Sequence, residues 1–81
     1  MKADDFENLS DLFDMLKVNK LEFGREMGWK RGITYMKLDR QRPWTVKEYE
    51  KGLRLLRKRG IRISRDTMIR FVTARRDDGN S

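Results

Sequence analysis

At 81 residues, 41% of them charged and 37% hydrophobic, the chain has room for one small domain built on a minimal core. It holds no cysteine and no histidine. This removes disulfides, thiolate zinc sites, the cysteine nucleophile, and the commonest general base and metal ligand. A net charge of +7 with a pI near 10.1 points instead to a polyanionic partner.

That charge is unevenly spread. Residues 1–16 hold five acids (Asp4, Asp5, Glu7, Asp11 and Asp14) against Lys2 alone, a net of −4. Residues 17–81 hold 19 bases and eight acids, a net of +11. Such asymmetry describes one face built to meet phosphate. No apolar run approaches the ~18 residues of a membrane span. The acidic start MKADDFENL is unlike the basic and then apolar start of a signal peptide. A cytoplasmic, nucleoid-associated protein without membrane contact is therefore expected. The acidic pairs Asp4/Asp5 and Asp77/Asp78 sit at the chain ends, where a buried, pKa-shifted carboxylate is not expected, and no glycine-rich phosphate loop is present. The composition predicts a binding protein and not an enzyme, with no cofactor, no metal and no small-molecule substrate.

In chain order, Phe6, Leu9, Leu12, Phe13 and Leu16 recur at spacings of three and four and predict an amphipathic helix over residues 4–17. Its first turn collects acids, as the helix dipole favours, and its acidic outer face should point away from nucleic acid. Asn19 is the predicted cap of a second helix, residues 20–27, burying Leu21, Phe23 and Met27. Gly24 in its middle makes sense if another helix crosses close by, and Gly28 ends it. A third helix is expected over residues 30–39, with Ile33 and Met36 inward and Arg31, Thr34, Tyr35 and Leu38 toward the other side. The basic loop Arg40-Gln41-Arg42-Pro43-Trp44 follows. Thr45 and Glu48 predict a capping box for a fourth helix reaching to Gly60, with Val46, Tyr49, Leu53 and Leu56 on its apolar face. Ile61-Arg62-Ile63 alternates like a very short strand. Ser64 caps a last helix, residues 65–76, with Met68, Ile69, Phe71 and Val72 on its apolar side. Trp29, Trp44, Tyr49 and the methionines Met15, Met27, Met36 and Met68 are expected in the core. The expected fold class is all-α, about five short helices in one domain over residues 1–76, with a polar, disordered tail over 77–81.

Residues 20–38, KLEFGREMGWKRGITYMKL, read as a short helix, a glycine turn and a second helix with its charge outward. That is the layout of a helix-turn-helix, whose second helix enters the major groove of DNA. Lys30, Arg31, Thr34, Tyr35 and Leu38 are the candidate base readers. Arginine can grip guanine with two hydrogen bonds, and the threonine and tyrosine offer a hydroxyl and an apolar surface to thymine methyls. Lys20, Arg25, Lys37, Arg40, Arg42, Thr45 and Lys47 are the candidate phosphate contacts, which fix register without reading sequence.

Over residues 9–61 the chain resembles the lambda-repressor-like (Cro/repressor) helix-turn-helix family. Gly24 matches the family's small residue, Gly28 its turn, Arg42-Pro43 and Thr45 its loop and cap, and Leu53 and Leu56 its fourth-helix core. The family carries an aliphatic residue six positions after the turn glycine. This chain has Thr34 there and Ile33 one position early, so either the turn is shorter by one or the recognition helix is rotated. Residues 53–71, LRLLRKRGIRISRDTMIRF, also look like the helix-turn-helix of winged-helix and transposase-type domains. That resemblance makes Arg62, Ser64, Arg65, Thr67 and Arg70 possible contacts of a second DNA-facing helix.

The expected function is a sequence-specific double-stranded DNA-binding transcriptional regulator. Fold analogy suggests a repressor from a phage or mobile element, bound as a homodimer to an inverted repeat. Ile61, Ile63, Met68, Phe71 and Val72 would supply the dimer surface. The alternatives are an excisionase-like or architectural DNA-bending protein, an RNA-binding protein prompted by the two tryptophans, and an interaction module using its acidic N-terminal face.

Overall fold

Four of the five helices begin at a side chain that accepts a hydrogen bond from its own first turn. The structure, a computed structural model, describes residues 3–74. Asn8 caps α1 (Leu9–Leu16), Asn19 caps α2 (Lys20–Met27), Thr45 caps α4 (Val46–Lys58) and Ser64 caps α5 (Arg65–Val72). Only α3 (Arg31–Leu38) starts without one, at Lys30. Thr45 and Glu48 complete the reciprocal capping box at 3.1 and 2.8 Å. A single 3₁₀ turn, Ala3–Asp5, precedes α1. The described residues form an all-α domain and contain no strand.

Several boundaries differ from the sequence reading. The first helix starts at Leu9, not at residue 4, because the carbonyls that a longer helix would use are taken elsewhere. The carbonyls of Asp4 and Phe6 accept from the Arg70 guanidinium at 3.3 and 2.8 Å, and that of Glu7 accepts from Arg40 at 3.2 Å. The last helix stops at Val72. The Val72 carbonyl accepts from the Trp44 N–H at 2.9 Å and the Thr73 carbonyl from Arg40 Nε at 3.1 Å. Its expected continuation over 75–76 and the tail 77–81 lie outside the described residues. Residues 61–63 are a connection rather than a strand. Gly60 turns the chain with φ +79°, the Ile61 N–H bonds the Leu56 carbonyl at 2.9 Å, and both isoleucines settle on the core.

α3 sits at the centre, packed against α1, α2 and α5. Phe13, Phe23, Phe71, Leu9, Leu38, Leu56 and Met68 are fully buried around it. An edge-on aromatic chain continues this core, with Phe13 and Phe23 ring centres 5.0 Å apart and Trp29 and Trp44 also 5.0 Å apart. Trp44 lies over Gly52, where an added Cβ would come within 2.5 Å of the indole. Four apolar positions expected inside are exposed: Met15, Leu16, Ile69 and, most fully, Val46 at 73%. Val46 is the first residue of α4 and lies ahead of the stretch that packs.

Candidate nucleic-acid interface

The helix pair expected from residues 20–38 is present, joined by the three residues Gly28, Trp29 and Lys30. Gly28 adopts φ +84°, a region that suits glycine, and its N–H bonds the Arg25 carbonyl at 3.0 Å. Trp29 N–H returns to the Gly24 carbonyl at 2.8 Å, closing a helix C-terminus with two bonds. The crossing is set where Gly24 of α2 meets Thr34 of α3. The two approach so closely that a Cβ on Gly24 would lie 2.7 Å from Thr34 Cγ2.

This crossing decides which way α3 faces. Thr34 and Leu38, expected to point outward as base readers, are buried at 1% and 0% exposure. Thr34 fills the slot inside the helix pair, with its hydroxyl donating to the Lys30 carbonyl at 2.9 Å. Ile33 and Met36, expected inward, are half-buried and are not among the side chains packed on the core. Residues two positions from Thr34 and Leu38 fall on the opposite side of a 3.6-residue helix. The outward side therefore carries Gly32 and Met36, flanked by Ile33 on one edge and Tyr35 on the other, while Arg31 stands at the start of the helix beside the Thr34 side. Lys30, Arg31 and Tyr35 are exposed, as expected.

The candidate phosphate contacts divide into two groups. Arg25, Arg42 and Lys47 are exposed and form no ion pair among the described residues, as is also true of Lys30 and Arg31. The other candidates have structural tasks. Lys37 lies 2.6 Å from Glu48 and 5.2 Å from the centre of the Trp29 ring, Lys20 pairs with Asp14 at 2.8 Å, and the Thr45 hydroxyl caps α4. Arg40 holds the carbonyls of Glu7 and Thr73.

Glu48 is the junction of this region. Its carboxylate accepts from Trp29 Nε1 at 2.8 Å, from Lys37 Nζ at 2.6 Å and from the Thr45 N–H at 2.8 Å. One carboxylate so ties the turn, α3 and the start of α4 together. Burial raises its pKa, but the hydrogen bonds from Lys37, the Thr45 backbone and Trp29, with the Lys37 charge, outweigh this and hold it below the ordinary glutamate range.

On the last helix, Arg62 and Arg65 are exposed. Ser64 bonds the Thr67 N–H at 3.2 Å and the Thr67 hydroxyl at 2.9 Å. Thr67 also donates to the Asp4 carboxylate, and Arg70 is committed to the carbonyls of Asp4 and Phe6. Those contacts pin the acidic N-terminal segment onto α5, so Ser64, Thr67 and Arg70 are structural there. The expected dimer surface also changes. Met68 and Phe71 are fully buried, and Ile61, Ile63 and Val72 are partly buried against the core, which leaves Ile69 as the large exposed apolar residue of α5. The two indoles are packed edge-to-face, and their N–H groups bond Glu48 and the Lys37 carbonyl. Neither ring is an open platform for an unpaired base.

The sequence reading missed a ridge on α4. Lys47, Lys51, Arg54 and Lys58 recur at spacings of four, three and four, which aligns them on one side of a helix, and all four are exposed. The spacing is legible in the sequence, interleaved with the apolar positions of the same helix. No helix among the described residues is long and apolar enough to cross a membrane. Compared with known proteins, the chain matches no family model, no curated protein and no solved structure.

Proposed function

We propose that the protein is a sequence-specific double-stranded DNA-binding regulator, which inserts α3 into the major groove and acts as a homodimer on an inverted-repeat operator. The observation that carries this reading is the setting of α3. The helix bears no acid, and five exposed cations without ion pairs among the described residues come from it and from the segments next to it in the chain: Arg25 of α2, Lys30 and Arg31 at the start of α3, Arg42 of the loop and Lys47 of α4. The α2 acids Glu22 and Glu26 are occupied by Arg59 at 3.2 and 2.8 Å. A helix with one side turned to solvent and unpaired cations in the segments joined to it suits a groove bordered by phosphates. Dimerisation would use the partly exposed Ile61, Ile63 and Val72 together with Ile69. Repression, and an origin in a phage or mobile element, rest on the family resemblance alone.

Selection of bound duplexes from a random pool tests the reading. A palindromic consensus is expected, and recovery of no consensus defeats it. Arg31→Ala should weaken binding to the selected duplex by about 1–3 kcal/mol and relax preference at one position. Lys47→Ala should weaken all duplexes alike and lower the slope of log K against log salt by about 1. Gel-shift titrations at several stated salt concentrations separate the two effects.

A further inference from the structure

The cations of this chain fall into two sets. Lys20, Lys37, Arg40, Arg59 and Arg70 are each held by a carboxylate or a backbone carbonyl of the fold. Lys47, Lys51, Arg54 and Lys58, the ridge on α4, are exposed and form no ion pair among the described residues. On a helix of ~3.6 residues per turn the ridge lies opposite Gly52 and Leu56, which are buried. Of the acids of α4, Glu48 is taken by Trp29, Lys37 and Thr45, and Glu50 stands at the edge of the ridge. Neighbours along the ridge are three or four residues apart, where like charges destabilise a helix. The fold alone gains nothing from this arrangement, and an anionic partner lying along the helix would offset the repulsion.

The chemistry of the ridge narrows that partner. Lys47 to Lys58 span about 16 Å of helix axis, and duplex DNA presents about nine phosphate charges over that length. A helix that lies on a membrane inserts its apolar side. Here the apolar residues between the ridge cations, Tyr49, Leu53, Leu55 and Leu56, lie in or against the core. What the ridge offers is charge on long flexible side chains, which meets backbone phosphates without reading bases. The positive surface also continues past α4, where Arg57 and Arg62 line a cleft of about 510 Å³ with Gly60 and Ile63. We propose that α4 carries the phosphate backbone of the duplex that flanks the half-site, with Lys51, Arg54 and Lys58 continuing the backbone contact that begins at Lys47. The DNA held is then longer than the bases α3 reads. This inference rests on the DNA-binding reading above and adds to it a stretch of bound backbone without sequence preference.

The test uses the full chain and two forms of the duplex selected from a random pool. One is cut to the consensus, and the other carries about 10 further base pairs, one helical turn, of arbitrary sequence on each side. The flanks are expected to raise affinity about tenfold or more at low salt and to steepen the slope of log K against log salt by about 2–3. The triple variant Lys51→Gln, Arg54→Gln, Lys58→Gln should lose that gain, binding both forms within about twofold of each other, and select the same consensus. Its melting temperature should be equal or higher, since like charges are removed from one helix side. Flanks without effect on the parent, or a gain that the triple variant keeps, overturn the inference while the operator reading stands. A lower melting temperature marks the ridge as part of the fold and overturns it too. If the variant keeps the flank gain but loses binding to phosphatidylserine vesicles that hold the parent, the ridge faces a membrane and the inference is overturned. A pool that yields no consensus overturns the operator reading and this inference with it.

Discussion

Glu48→Ala is expected to lower the stability of the fold by about 3 kcal/mol, read as a fall in the urea midpoint at unchanged slope. Three losses combine. The α4 cap loses half of its reciprocal box, about 1 kcal/mol. The Trp29 N–H loses its partner, about 1–3 kcal/mol if no water replaces it. Lys37, only 13% exposed, loses the carboxylate that compensates its charge. The sum stays below that of a fully buried pair, since Glu48 itself is 22% exposed and water can reach Lys37. Glu48→Gln keeps one acceptor oxygen, for either Trp29 Nε1 or the Thr45 N–H but not both, and removes the charge, so it should lose less than the alanine variant. A loss below about 1 kcal/mol for the alanine variant would show that the three contacts do not act as a junction.

The same carboxylate predicts a pH dependence. Its pKa is lower in the folded state than in the unfolded chain, so its contribution is fully present above the ordinary glutamate value of about 4.3. As pH falls below that value the unfolded chain takes up the proton first, and the contribution is lost through the folded-state pKa. The stability difference between the parent and Glu48→Gln should therefore be constant near neutrality and shrink in acid. Parallel urea titrations of the two proteins from pH 7 to about pH 3 check this. A difference that grows in acid would contradict the direction of the shift.

What could be read from the sequence followed the local rules closely. The caps Asn19, Thr45 and Ser64, the turn at Gly28 and both bounds of α2 arise from contacts within four residues, and all are where the sequence places them. The misreadings come from contacts across the chain. Arg40 and Arg70 reach 33 and 64 residues back to carbonyls of the N-terminal segment, and no pattern along the sequence marks an arginine for that task. The facing of α3 departs from the hydropathy pattern for a different reason. Isoleucine and methionine are more apolar than threonine, and hydropathy alone therefore puts Ile33 and Met36 inside. Thr34 is inside because the space left by Gly24 fits a small β-branched residue, and its hydroxyl is satisfied by the backbone one turn earlier. The pairing of a glycine on one helix with a threonine on the next outweighed the hydrophobic count.

That pairing can be tested directly, with an effect comparable to the loss of Glu48. Gly24→Ala is expected to destabilise the fold by about 1–3 kcal/mol, although alanine is the better helix former by about 1 kcal/mol. The new methyl would lie 2.7 Å from Thr34 Cγ2 and 2.8 Å from Thr34 Cβ, with Thr34 Oγ1 also in the way. Thr34 cannot swing aside easily, since it is 1% exposed, bonded to the Lys30 carbonyl at 2.9 Å and β-branched. The helices would have to part, which also shifts α3 relative to the cations around it, and so DNA binding should weaken together with stability. Thr34→Ala alone opens a small cavity and should destabilise modestly. Combined with Gly24→Ala it removes Oγ1 and Cγ2 from the clash, so the double variant should be more stable than the sum of the singles by about 1 kcal/mol or more. Gly32→Ala on the other helix meets no neighbour and serves as the matched control. Strict additivity in the cycle, measured by urea unfolding, would mean that the helices part without Thr34 and that the crossing is set by something else. Coupling of the expected sign would identify the contact between Gly24 and Thr34 as what turns Gly32, Ile33 and Met36 outward.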